Sequence, residues 1–136
     1  MNTHSLFATL SAAAQSLGFR PTHLYALHDT LLRNGFPIAS FRPVEIVAME
    51  GESNQRLTYY VEVSFLGDGR LPADEYSLLE ESLMESARRF VEVVGKAPGV
   101  VEVELKELHP AGRLLTPVGD CAVELKMNVV VMMCNA

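Results

Sequence analysis

Four histidines, two cysteines and several closely spaced carboxylates are the side chains of this sequence that could do chemistry. His23 and His28 stand five positions apart in a stretch that reads as helical. Five positions put two side chains about 140° apart around a helix, whereas helical metal ligands want i, i+3 or i, i+4 spacing. No metal site is expected there, and His28 reads as a boundary residue. His4 reads as lying in a frayed start, and His109 as an ordinary loop residue before Pro110. Cys121 follows Asp120 and a loop that contains His109, which is the composition of a thiol nucleophile. It also opens an apolar strand, where a cysteine packs as a small hydrophobe, and nothing beside it would depress its pKa. Cys121 and Cys134 are 13 positions apart in that apolar stretch. If it is one extended strand, they lie about 40 Å apart, far beyond disulfide reach. Reduced thiols are expected, which fits an intracellular or virion protein better than a secreted one.

The carboxylates pair at strand spacing. Glu102 and Glu104 share a strand face, as do Glu124 and Lys126. A carboxylate pair doing acid–base work needs one member buried enough to raise its pKa. These lie on the polar side of a clean alternation, so a solvated face with cross-strand pairs to lysines is expected. Glu80, Glu81 and Glu85 read as a wet helix face. Gly67-Asp68-Gly69 matches neither phosphate-loop pattern and reads as a tight turn. The sequence therefore predicts no catalytic residue, no cofactor-binding residue and no metal ligand. What remains is a candidate contact element. The loop from His109 to Gly119 carries Arg113, Leu114 and Leu115 between Pro110 and Pro117, and is longer than neighbouring strands need. Its leucines either anchor a partner or fold back onto the core. Met132 and Met133 in the apolar tail join them as interface candidates, since methionine suits adaptable contact surfaces as well as cores.

The elements that would position these residues are marked by periodicity. Leu6, Leu10, Ala13, Ala14 and Leu17 share a helical face, capped by Thr3 or Ser5 and ended by Gly18. A second short helix opens at Pro21 and Thr22, with Leu24, Leu27, His28 and Leu31 on one side and Gly35 as its stop. Phe36 to Met49 reads as extended, and Pro37 and Pro43 place it at an edge or give it a bulge. Thr58 to Phe65 alternates strictly and forms an antiparallel hairpin with it across a short loop. Tyr76, Leu79, Leu83, Ala87, Phe90 and Val94 define a long helix with Asp74 as N-cap, Gly95 as terminator and a Glu85–Arg89 pair. Two strands follow. Val101, Val103 and Leu105 line one, and Cys121, Val123, Leu125 and Met127 line the other. Val129 to Cys134 is apolar on both sides and so needs cover on both. The order α-α-β-β-α-β-β predicts an α+β fold. It has a four-stranded, mainly antiparallel sheet, one long helix packed on a face and N-terminal helices, in a single domain spanning 1–136.

Composition agrees with one folded domain. The 136 residues are 49% hydrophobic and 21% charged. A chain of this size buries about two-thirds of its extended surface, enough for a core without staples. Net charge is −6, with Asp29 against Arg20 and Arg33 in the first forty residues and the other acids beyond them. There is no basic stripe, so stable nucleic-acid binding is not expected. No apolar run approaches the about 18 residues of a membrane helix, and no basic region precedes an apolar run at the start.

Asn34-Gly35-Phe36-Pro37 leads into Arg42-Pro43-Val44 and then the strand from Arg56 to Phe65. With the element order and length, this resembles the tail terminator and tail-completion proteins of long-tailed bacteriophages, over nearly the whole chain. The resemblance implies a structural virion protein that forms a ring, usually a hexamer, caps the finished tail tube and joins it to the head connector. It implies partners that are other copies of itself, the tail tube protein and head–neck connector proteins, and assembly in the host cytoplasm. It brings no catalytic residues. The short loop at Gly51 departs from members with a longer loop that reaches the tube. Two other classes fit the same elements. One is a small dimeric α+β enzyme or ligand-binding domain with a pocket between helix and sheet. The other is a self-associating regulatory domain.

Overall fold

The computed structural model describes residues 2–51, 54–111 and 119–134. Helix α1 spans Thr3–Ser16, and the Asn2 side chain, rather than Thr3 or Ser5, caps it by accepting from the Ser5 amide at 2.8 Å. It ends in a Schellman turn. Gly18, at φ +89°, donates to the Gln15 carbonyl, and the Phe19 amide reaches back to Ala14. Leu6, Leu10, Ala13 and Ala14 are buried, on the face that the periodicity predicts.

The next segment departs from expectation. Arg20–His23 is a short strand, β1, not the opening of a helix. A single 3-10 turn, Leu24–Ala26, then leads into helix α2, Leu27–Asn34. Strand β2, Ile38–Phe41, returns parallel to β1, pairing Arg20 with Ile38 and His23 with Phe41. Only Leu27 and Leu31 of the predicted second-helix face are buried; Leu24 and His28 are exposed.

The predicted hairpin is present, but its first arm is split. After β2 the chain passes Arg42-Pro43-Val44 and resumes as β3, Glu45–Glu50. Both β2 and β3 pair antiparallel with one long strand, β4, Asn54–Asp68. Helix α3, Ala73–Gly95, follows; Pro72 rather than Asp74 sits at its N-cap, and Asp74 and Glu75 occupy its first turn. Strands β5, Val100–Pro110, and β6, Asp120–Cys134, complete the sheet. The strand order is β1-β2-β4-β6-β5, with β3 paired to the free half of β4. Among the described residues this is a mixed α+β fold with three α-helices and a six-stranded sheet. The expected four strands lack β1 and count β2 and β3 as one.

The core lies on one side of the sheet. Tyr59, Val61, Val63 and Phe65 of β4, with Cys121, Val123, Leu125, Met127, Val129 and Val131 of β6, meet Leu6 and Leu10 of α1 and Leu83, Ala87, Phe90 and Val94 of α3. Phe90 packs at 5.3 Å from Phe65 and 6.1 Å from Phe41, ring centre to ring centre. Among the described residues the other side is covered at one end, where Leu27 and Leu31 of α2 pack on Ile38, Leu66 and Ala122. Within one chain the helices cover the β6 tail on one side. Val129 and Val131 are buried under the helices, while Val130 is half-buried on the uncovered side.

At the far end of β4 the turn is fastened by charge. Asp68 accepts from the Arg70 backbone amide at 3.0 Å and from its guanidinium at 2.8 and 3.0 Å. Those bonds hold the Asp68 carboxyl at about 2, against an ordinary 3.8. Arg70→Ala removes the guanidinium bonds and keeps the backbone one, so the Asp68 titration should rise toward the ordinary range, read by carboxyl-carbon NMR. Because the folded value is depressed, the stability it contributes is present above the ordinary value and is lost as pH falls toward 2. The pair is exposed, so its contribution is small.

Candidate functional site

The side of the sheet away from α1 and α3 is left open by those two helices, and its residues follow from register. Even-numbered side chains of β4 and β6 point there: Thr58, Tyr60, Glu62 and Ser64 beside Val130, Asn128, Lys126 and Glu124. Strand β5 adds Glu102 opposite Val130, Glu104 opposite Asn128, Glu107 opposite Lys126 and His109 opposite Glu124. Two bulges, at Val101 and Lys106, break the alternation expected for β5. Val101, the extra residue of the first bulge, is exposed, and so is Leu105, although it keeps the side of Val103, opposite Met127.

Ion pairs lace this face. Arg42 Nε lies 2.9 Å from Glu62, and the Tyr60 hydroxyl donates to the same carboxylate at 2.8 Å. Partial burial, then that bond, raises the Tyr60 pKa. Lys126 meets Glu107 at 3.2 Å, and this bond raises the lysine's pKa. His109 lies 3.7 Å from Glu107 and 3.9 Å from Glu124. A cross-strand lysine pair is thus seen at Lys126–Glu107 rather than at Glu102 or Glu104; Glu104 instead meets Lys106 of its own strand at 3.0 Å. A shallow hollow of about 190 Å³ sits among Arg42, Glu62, Ser64, Glu124 and Lys126. Another, of about 320 Å³, sits among Glu50, Arg56, Thr58, Glu102 and Asn128.

Strand β3 forms one border of this face, and all six of its residues are exposed. Among the described residues it pairs with β4 alone, so its outer edge carries no strand. Ile46, Val47 and Met49 are 51%, 53% and 61% exposed. Ile46 lies opposite Tyr59 and Met49 opposite Leu57, on the helix side of the sheet; Glu45, Ala48 and Glu50 lie opposite Tyr60, Thr58 and Arg56, on the open side. Val47 is the extra residue of a bulge. The sequence marked Phe36 to Met49 as an edge or bulged segment from its prolines, and β3 is both. What it did not single out is the exposure of Ile46 and Met49, three positions apart, which the bulge at Val47 brings to one side of the sheet.

The residues weighed for chemistry are dispersed. His23 ends β1 and stacks between Phe7, at 4.1 Å, and Tyr25, at 5.2 Å. His28 is exposed on α2, so the two are not on one helix as read. Cys121 is buried, and burial pushes its thiol pKa up, the opposite of a nucleophile's. Cys134 lies on the same continuous strand as Cys121. Glu85 pairs with Arg89 at 3.4 Å on α3, as predicted. Among the described residues, no three His, Cys, Asp or Glu side chains converge as metal ligands would. No helix among them is long and apolar enough to cross a membrane. Of the interface candidates, Arg113, Leu114 and Leu115 lie outside the described residues. Met132 is half-buried beside Arg56, and Met133 lies opposite Gln55 in the ladder, its side chain outside the description.

The space between α3 and the sheet is filled by Leu83, Ala87, Phe90 and Val94 against Phe41 and Phe65. This corrects the alternative of a ligand pocket between helix and sheet. Two further hollows lie elsewhere on the surface. One of about 380 Å³ lies beside Gln15, Phe19, Arg20, Asn34 and Phe36; another of about 470 Å³ lies between α1 and α3, beside Ser16, Leu17, Ser82, Glu85 and Arg89.

No protein-family model matches the chain, and no curated protein matches it. Among solved structures it is similar to the type 4 fimbrial biogenesis protein PilO from Pseudomonas aeruginosa. Identity is 9% and the TM-score 0.43, over 98% of this chain and 72% of that one. It is also similar to a structure from Akkermansia muciniphila, at 11% identity and a TM-score of 0.41, over 98% of this chain and 77% of that one. At that identity and score, neither lends this chain a function. Neither is a phage tail terminator, and the element order on which that resemblance stood is not the order observed. The tail-terminator reading is therefore overturned, and the tube and neck partners lose their basis with it.

Proposed function

We propose that this chain is a protein-binding module without a catalytic role, acting as one domain, that receives an extended segment of a partner on the free edge of β3. The observation that carries this is β3 itself: six exposed residues, three of them large and apolar, beside a row of backbone groups that, among the described residues, no strand pairs. Natural sheets blunt such edges, and the other two edges here are blunted. Strand β5 has two bulges and a run of charge from Glu102 to Glu107; β1 has four residues, one of them Pro21. Strand β3 keeps one bulge and an apolar centre. Added strands gain affinity from main-chain hydrogen bonds and specificity from alternate side chains.

The test is fluorescence anisotropy against an array of extended hexapeptides, each also made with alternate amides N-methylated along one edge or the other. The expected result is that some peptides bind and that methylating one edge abolishes their binding, while methylating the other leaves it intact. Absence of binding, or indifference to both methylations, would refute strand addition.

A further inference from the structure

We infer that the segment received by β3 is cationic at two positions four residues apart, with apolar residues between them facing the other way. This rests on the strand-addition reading and adds the chemistry of the partner. Glu45 and Glu50 bracket the apolar centre of β3. Because Val47 is bulged out, five steps along β3 span only four along its neighbour: Glu45 stands opposite Tyr60 and Glu50 opposite Arg56. The outer edge presents the same spacing to an incoming strand.

Side-chain direction then sets the rest of the pattern. Glu45, Ala48 and Glu50 look to the open side, and Ile46 and Met49 to the helix side. An antiparallel segment of the form basic–apolar–small–apolar–basic would set its cations against Glu50 and Glu45. Its apolar residues would lie on Met49 and Ile46, covering area that is more than half exposed.

Both carboxylates await such a partner. The open-side acids Glu62, Glu104, Glu107 and Glu124 each lie within 4 Å of Arg42, Lys106, Lys126 or His109, whereas among the described residues Glu45 and Glu50 of β3, like Glu102 of β5, make no ion pair. The same charges disfavour a second copy of this chain on the edge. Two β3 strands paired antiparallel about their centre would set Glu45 against Glu50 twice, and like charges directly opposite are destabilising.

The test uses the whole chain and three capped peptides centred on Lys-Val-Thr-Val-Lys, Gln-Val-Thr-Val-Gln and Glu-Val-Thr-Val-Glu. In low salt the lysine peptide should bind about tenfold more tightly than the glutamine peptide, as two cross-strand charge pairs allow. The preference should shrink to about twofold or less in 0.5 M salt (a roughly 4 Å screening length). The protein variant Glu45→Lys/Glu50→Lys should reverse the order and prefer the glutamate peptide, with its circular dichroism unchanged. Equal binding of all three peptides, still sensitive to one-edge N-methylation, would overturn the charge rule while leaving strand addition standing. No binding by any would overturn both. Sedimentation showing a dimer that Ala48→Lys dissociates would make the occupant a second copy and overturn the cationic partner.

Discussion

Phe90→Ala should lower the free energy of unfolding by about 3–5 kcal/mol in urea titration, the range for truncating a large buried aromatic. Phe90 has no exposed surface and is one of four α3 residues that close the core. Its ring meets Phe65 of β4 nearly edge to face and lies near Phe41 of β2. One side chain thus joins the long helix to two strands, and one of those, β2, is also paired with β1. The cavity left by alanine has aromatic walls on separate elements, which cannot all move in to fill it. Glu81→Ala, on the exposed face of the same helix, should cost under about 0.5 kcal/mol. Similar losses at the two positions would mean that α3 packs by another face.

Gly69→Ala should be the second largest effect, at about 1–3 kcal/mol, the range for forcing atoms into occupied space. A β-carbon on Gly69 would lie 2.5 Å from the carbonyl carbon and oxygen of Asp120 and 2.9 Å from the Cys121 amide nitrogen. These are backbone atoms of β6, which cannot swing away as a side chain can. The turn after β4 crosses the start of β6 there, and the Gly69 amide donates to the Gly119 carbonyl at 3.3 Å. The damage should be local as well as global. Amide exchange at Asp120–Val123 should quicken more than at Val129–Val131. Gly18→Ala offers a contrast: nothing stands within 4 Å of its missing β-carbon, and the cost of about 1–2 kcal/mol comes from φ +89° alone. An unchanged melting temperature for Gly69→Ala would contradict this crossing.

The parts of the fold legible in the sequence are those where one residue period runs long enough to show. The α1 and α3 stripes and the alternations of β4 and β6 are of this kind, and they hold most of the core. Strand β1 was not legible. Four residues carry no period, Pro21 reads as a helix start, and parallel pairing with β2 depends on how the intervening α2 packs. The division of β2 from β3 at Arg42-Pro43 is equally a matter of pairing, since both halves are extended in sequence. In β5 the alternation is present in the letters and undone by two bulges. The candidate site was legible in half. Prolines marked an edge or bulge between Phe36 and Met49, but which residues of that edge lie uncovered depends on where α1 and α3 stop. The pairing of Arg42 with Glu62 is a matter of neighbouring strands in space, which spacing along one chain does not encode.

Amide hydrogen exchange of the whole chain, alone and saturated with the Lys-Val-Thr-Val-Lys peptide, tests the use of this edge most directly. The expected result is that amides within Glu45–Glu50 slow by about tenfold or more, since an added strand ties down groups that otherwise open freely, while amides of α3 keep their rates. Protection confined to another surface, such as the hollow beside Arg20 and Asn34, with β3 unchanged, would contradict it.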